Sequence, residues 1–388
     1  MKLAERVGQI KFSSIIKIAD RVREMEAAGK KIIRLETGEP HFATPSVAKN
    51  AVLKALKDNL THYSHSRGVY ELRKMLCDRH NYEFKTNLDA NKNILITPGG
   101  KQAIFYAMLS VVGGGDEVII STPGWVSYEE MVRLAGGVPV FAVADRNQDF
   151  ENSFNIIKEK ITSRTKAIIL NSPNNPTGKI IKEETLRKIN NLCLEKNILL
   201  ISDEIYNQII FEGHIHRSVL SINPELKNCI LINGFSKTYA MTGWRLGYAL
   251  AEAYIIEAML KLQQNSVTCP TTFIQYGAMA ILQGGDNFVK KSLKVYRDNR
   301  DTLMRELKKT DKFRMIEPEG GLYAFIDVSK INKDSHAFCL DLLEKGGISA
   351  IPGEAFGRGG EGCVRICLAT EKKNIMEFIK RLKKIYAI

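Results

Sequence analysis

A lysine stands where a buried strand should end. In "NCILINGFSKTYAMTGWRLG" (228–247) an apolar run closes on Ser236 and Lys237, and Arg245 follows eight residues later. An amine desolvated near other cations has a lowered pKa and becomes a nucleophile. A second run, "NILLIS" (197–202), closes on Asp203, Glu204 and Tyr206. Burial penalises such a carboxylate unless something positive pairs with it. A third, "TKAIILN" (165–171), opens into "SPNNPTG" with Asn174, Asn175, Pro176 and Gly178. A fourth, "NILIT" (93–97), leads into "PGGKQA", where Gly100 and Lys101 open a helix whose free N–H groups suit a phosphate.

Taken together these strand ends offer an acid, a phenol, an amide, a hydroxyl, a nucleophilic lysine and a phosphate cradle. Pyridoxal 5′-phosphate fits the set. It carries a phosphate, a ring nitrogen that a carboxylate keeps protonated, a phenolic oxygen and an aldehyde that condenses with lysine.

The elements that must position these groups alternate along the chain. From about 93 to 250, short apolar runs (93–97, 116–121, 138–144, 165–171, 197–203 and 228–234) are separated by helical patterns. Runs apolar throughout belong to strands buried on both faces, so a mostly parallel α/β sheet with helices on both faces is expected. Ligands in such sheets gather beyond the C-terminal strand ends. After 285 a long helical stretch, short strands and a final helix predict a smaller α+β unit. The expected division is a large cofactor-binding domain over 46–285 and a small domain from 1–45 with 286–388.

"SPNNPTG", "SDEIY", "SKTYAMTGWRLG" and "GCVRI", in this order, resemble the class I and II aminotransferases, fold type I of the pyridoxal-phosphate enzymes. The bacterial aspartate aminotransferase-like subgroup is suggested, and the likeness runs from "LETGEPHFATP" to the last helix. The resemblance implies that Lys237 is joined to the cofactor aldehyde and that Asp203 pairs with the ring nitrogen. Tyr206 and Asn175 would bond the phenolic oxygen, while Gly100, Lys101, Ser236 and Arg245 surround the phosphate. Trp125 would stack on the ring and meet the substrate. Gly38 and Arg365 would hold the substrate carboxylate, with Asn175 beside them. Tyr63 matches a tyrosine that reaches the other subunit's phosphate, which implies a homodimer with shared sites. Ping-pong transfer from an L-amino acid to a 2-oxo acid follows, with aspartate and 2-oxoglutarate the favoured pair. An aromatic or neutral amino acid, or a β-lyase reaction, is the alternative. Lys101 speaks for a distal carboxylate. Against strict aspartate specificity, a Pro-Ser-x-Thr pattern of aspartate-specific members here reads Phe12, Ser13, Ile15, and His41 replaces a customary aspartate.

Other signals are weaker. The formal charge of +13 lacks a long basic run or binding motif, so a solvated lysine-rich surface is expected rather than a nucleic-acid partner. Seven cysteines without paired or ligand spacing point to reduced thiols in a cytoplasm. The charged N-terminus is no secretory signal, and no apolar stretch is long enough to span a membrane. "GRGGEG" (357–362) precedes a strand-like run instead of opening a helix, which argues against a dinucleotide site. The histidines lack carboxylate or cysteine companions at metal-ligand spacing, so no metal is expected.

Overall fold

The computed structural model describes residues 5–10 and 14–387. Its strands are β1 (Ile33–Arg34), β2 (Ile94–Thr97), β3 (Glu117–Thr122), β4 (Val138–Val143), β5 (Thr165–Asn171), β6 (Leu199–Asp203), β7 (Cys229–Gly234) and β8 (Gly247–Ala251). They continue with β9 (Arg314–Ile316), β10 (Tyr323–Asp327), β11 (Ile348–Ser349), β12 (Ile351–Pro352) and β13 (Cys363–Cys367). All six apolar runs read from the sequence are strands of one seven-stranded sheet, ordered β2-β8-β7-β6-β5-β3-β4. The sheet is parallel except at β8, which runs antiparallel to both β2 and β7. The sequence reading did not include β8; it follows the tight segment around Arg245, whose φ is +54°.

The all-apolar pattern of these strands has the expected cause. On one face Ile168, Leu170, Leu200 and Leu231 pack with Leu72, Leu76, Ile189 and Ile281 from helices Tyr70–Phe84, Glu183–Lys196 and Thr272–Gly284. On the other, Ile169, Ile201, Ile230 and Ile232 meet Ala103, Ala107, Val132 and Ile256 from helices Gly100–Val111, Ser127–Leu134 and Ala253–Gln264. Each of the valine, leucine and isoleucine side chains contributes roughly 1.5–3 kcal/mol when fully buried. Two opposed layers of them fix the plane from which the polar strand ends project.

A second, antiparallel sheet, β12-β13-β10-β9, has its own core, which includes Phe325, Phe338, Ile366 and Phe378. The N-terminal segment joins it. β1 pairs in parallel with β11, and the Cys367 N–H donates to the Leu35 carbonyl at 2.8 Å. This brings residues 34–38 alongside β13 and Arg365. Among the described residues no helix is long and apolar enough to cross a membrane.

Candidate active site

Beyond the C-terminal ends of β5, β6 and β7 lies a cavity of about 380 Å³, closed on its far side by residues 34–38, Tyr323 and Arg365. It gathers Gly38, Gly100, Lys101, Trp125, Asn175, Asp203, Tyr206, Ser236, Lys237, Arg245 and Arg365 into one lining. Of the residues singled out from the sequence, Tyr63 stands apart. It is 84% exposed, on the loop before helix Tyr70–Phe84.

Lys237 comes three residues after β7, and its Nζ donates to the Gly38 carbonyl at 2.6 Å. Burial above all, with Arg365 and Arg245 adding to it and Cys367 and Glu39 opposing, brings its pKa down to about 8. The close approach explains the glycine: a Cβ at Gly38 would sit 2.7 Å from the Tyr323 hydroxyl. Asp203, the last residue of β6, has its pKa pushed up to about 6 by burial, partly offset by hydrogen bonds from Tyr128 and the Ile205 N–H. The Tyr128 hydroxyl donates to Asp203 Oδ2 at 2.6 Å, and among the described residues no ion pair reaches this carboxylate. It is a buried acid with a place left for a cation.

Arg365, on β13, is held on two sides. Its Nη1 donates to Asn175 Oδ1 at 3.2 Å and its Nη2 to the Glu36 carbonyl at 2.6 Å. The Tyr323 ring lies 4.3 Å from the guanidinium carbon and the Phe356 ring 5.0 Å. Asn175 is itself placed by Asn171, whose Oδ1 accepts the Asn175 N–H at 2.9 Å and whose Nδ2 donates to the Asp203 carbonyl at 3.0 Å. The Tyr206 and Tyr323 hydroxyls are 3.0 Å apart.

At the opposite end, Gly99 precedes helix Gly100–Val111 with φ +88°, and a Cβ there would lie 2.7 Å from Arg245 Nη2. Arg245 and the first N–H groups of this helix therefore converge, with Ser236 lining the same cavity, an anion cradle by charge and by backbone dipole. The Lys101 ammonium sits 5.3 Å from the Trp125 ring centroid; burial and then Arg245 lower its pKa.

Sequence reasoning missed Tyr128, Asn171, Tyr323, Arg34 and Glu36. Asn171 ends an apolar run as Asp203 does, and the same rule would have found it. Tyr128 follows Trp125 by three residues in "WVSY", one helical turn on. His41 Nδ1 lies 3.0 Å from the Ala369 carbonyl, bracing the 38–42 segment against the chain after β13. Phe12, Ser13 and the Ile15 side chain lie outside the described residues. "GRGGEG" forms turns leading into β13, not a helix start. Among the described residues no cluster of His, Cys, Asp and Glu could hold a metal ion.

Residues 30–382 match the family of aminotransferases class I and II. A probable aspartate/prephenate aminotransferase of Aquifex aeolicus is 37% identical, over 98% of each chain. An aromatic-amino-acid aminotransferase of Thermococcus litoralis is 33% identical, over 99% of this chain and 98% of that one. The structure of Thermus thermophilus aspartate aminotransferase with maleate superposes with a TM-score of 0.94 at 34% identity, covering 99% of this chain and all of the other. The arrangement of strand ends around one lysine is thus that of a known group of enzymes that move amino groups, and the chain belongs to the class I and II aminotransferases.

Proposed function

We propose that this aminotransferase works with pyridoxal 5′-phosphate and takes a dicarboxylic L-amino acid, aspartate first, as donor and 2-oxoglutarate as acceptor. The observation that carries the reading is one pairing. A half-buried lysine whose amine has its pKa lowered to about 8 shares a cavity with a buried carboxylate that no ion pair among the described residues satisfies. The residues fit the cofactor: a cationic ring nitrogen would complete Asp203, and the Gly99–Gly100 turn with Arg245 and Ser236 suits the phosphate. Bound there, the cofactor supplies an aldehyde for the amino group and a ring that accepts the electrons left at the α-carbon.

The lining supports a role for each residue. Asp203 would keep a proton on the ring nitrogen. Tyr206 and Asn175 would donate to the phenolic oxygen, and Trp125 would stack on the ring. Gly100, Lys101, Ser236 and Arg245 would hold the phosphate. Arg365 takes the substrate α-carboxylate with a fork already oriented by Asn175 and Glu36, and the Gly38 N–H assists. Lys237, neutral for part of the time near pH 8, would remove the α-proton and return it to the carbon on the far side of the amino nitrogen, a 1,3-shift. Two half-reactions on one site give ping-pong kinetics.

The reading extends to assembly. Tyr63 is exposed, yet its loop is tied down: the Thr272 hydroxyl donates to the His62 carbonyl at 2.7 Å, and Arg67 pairs with Glu257. A fixed, exposed tyrosine suits a homodimer in which Tyr63 completes the neighbouring subunit's phosphate site. A large domain over 46–285, a small one from 1–45 with 286–388, and a cytoplasmic enzyme belong to the same proposal. Borohydride reduction of the yellow enzyme and peptide mapping test it. The cofactor should be found on Lys237, and a label on another lysine overturns the assignment.

A further inference from the structure

Arg365 holds one carboxylate; a dicarboxylic substrate has two. Arg34 also lines the catalytic cavity, next to Glu36 and Thr37. Glu36 is only 3% exposed, and it serves two arginines at once. Its backbone carbonyl accepts Arg365 Nη2 at 2.6 Å, while its side-chain Oε1 accepts Arg34 Nε at 2.8 Å. Glu36 Oε2 is buried without a hydrogen-bond partner. The carboxylate therefore depends on Arg34 for its counter-charge. Arg34, in contrast, hydrogen-bonds among the described residues only through Nε, with a loose ion pair from Nη1 to Glu26. Its Nη1 stands 3.7 Å from Glu26, beyond hydrogen-bond reach, and among the described residues no hydrogen bond engages the outer edge of its fork.

We propose that Arg34 is the second carboxylate clamp of the catalytic cavity, held in place by Glu36, and that it receives the distal carboxylate of the substrate. The inference rests on the dicarboxylate reading above and adds a forked partner to Lys101, the residue the sequence offers for the distal carboxylate. A guanidinium tethered through Nε presents its two outer nitrogens as a planar fork, the geometry a carboxylate accepts with two parallel hydrogen bonds. Glu26 and Glu39 compete for the same charge, and the loosely placed Glu26 is the partner an incoming carboxylate displaces. Lys101, beside Arg245 and Trp125, is a point charge without a fork. Glu36 is a positioning residue: its carboxylate aims Arg34, and its carbonyl, untouched by side-chain replacement, goes on aiming Arg365.

Calorimetric binding of succinate and of butyrate to the holoenzyme tests this without turnover. Succinate should bind more tightly in the parent, and Arg34→Gln should reduce its affinity about tenfold, the size one charge-assisted hydrogen bond supplies, with butyrate unchanged. In kinetics KM for aspartate should rise with kcat held, while phenylalanine is spared. Glu36→Gln should shift KM for aspartate in the same direction. Because Arg34→Gln leaves Glu36 unpaired, Arg34→Lys is the companion: it keeps the charge, loses the fork and should fall between parent and Arg34→Gln. The proposal is overturned if the succinate-to-butyrate ratio stays within twofold in both Arg34 variants, or if Lys101→Ser alone abolishes it. A parent that prefers asparagine to aspartate also overturns it, since Glu36 would then be the group facing the substrate. An enzyme inactive with every amino acid would instead sink the underlying aminotransferase reading.

Discussion

Asp203 and Glu204 are neighbours at the end of β6, both buried, and they face opposite ways. Asp203 looks into the catalytic cavity of about 380 Å³. Glu204 looks to the reverse side, where His216 and Ser218 line a larger cavity of about 530 Å³. Burial raises the pKa of Asp203 to about 6. For Glu204 burial acts in the same direction, but hydrogen bonds from His216, the Val219 N–H and Ser218 outweigh it and hold the pKa below the usual carboxylate value. Glu204 Oε2 lies 3.3 Å from His216 Nε2, and Oε1 accepts the Val219 N–H at 2.8 Å. One acid is satisfied by the protein and the other is not. Cavity size alone would choose the reverse side; the buried charge without an ion pair among the described residues chooses the side proposed for the cofactor.

The sharpest way to break this contrast is to remove the groups on the catalytic side. Lys237→Ala should abolish transamination and the covalent cofactor link while leaving the fold intact, measured by amino-group transfer and by the visible band. Asp203→Asn should lower kcat by two orders of magnitude or more, since losing one partner of a buried charge pair costs roughly 3–5 kcal/mol and each ~1.4 kcal/mol in the barrier is tenfold in rate. The role is misassigned if the variant turns over within about tenfold of the parent.

The reverse side should respond in the opposite currency. Glu204→Ala leaves His216, the Ser202 hydroxyl and the Val219 N–H without their acceptor. Stability should fall by roughly 3–5 kcal/mol, read by denaturant unfolding, while kcat per folded molecule changes only a few fold. If Glu204→Ala impaired kcat as severely as Asp203→Asn, the two acids would form one functional unit and the contrast would fail.

The same contrast explains what could be read from the sequence. Asp203 and Lys237 were legible because a polar residue at the end of an apolar run breaks a pattern, and the break can be seen locally; Asn175 was reached only through the resemblance of "SPNNPTG" to the family. The six parallel strands were legible for the same reason. Tyr128 was not, because its partner Asp203 is 75 positions away. Glu36 joins Arg365 across 329 positions, through its backbone carbonyl, which carries no residue identity at all. β8 was passed over because "GYALA" begins at Gly247, the last residue of the motif read for Arg245, where the chemistry of the motif hid the strand. Satisfaction of a buried group is a property of the fold, so the sequence showed that two acids end β6 without showing which one was waiting for a ligand.

The smallest expected effect is a pH slope, and it separates the two acids by sign. In protein stripped of cofactor, Asp203 titrates at about 6 against an ordinary 3.8. A raised folded pKa means that the native state holds the proton more tightly than the unfolded chain. The contribution of Asp203 is then fully present below pH 3.8 and is lost as pH rises through about 6. Glu204 behaves in reverse: its contribution is present above the usual carboxylate range and lost as pH falls. Asparagine at 203 does not titrate and leaves Glu204 in place. The stability difference between parent and Asp203→Asn therefore isolates the first acid. It should move against the parent between pH 4 and 7, by up to roughly 3 kcal/mol if the whole rise is expressed. Urea unfolding of both proteins across that range measures it. Reloading pyridoxal phosphate should flatten the slope, because a cationic ring nitrogen gives Asp203 the partner it lacks. A slope of the opposite sign in the stripped protein would mean that Asp203 is already satisfied there, and the contrast with Glu204 would be gone.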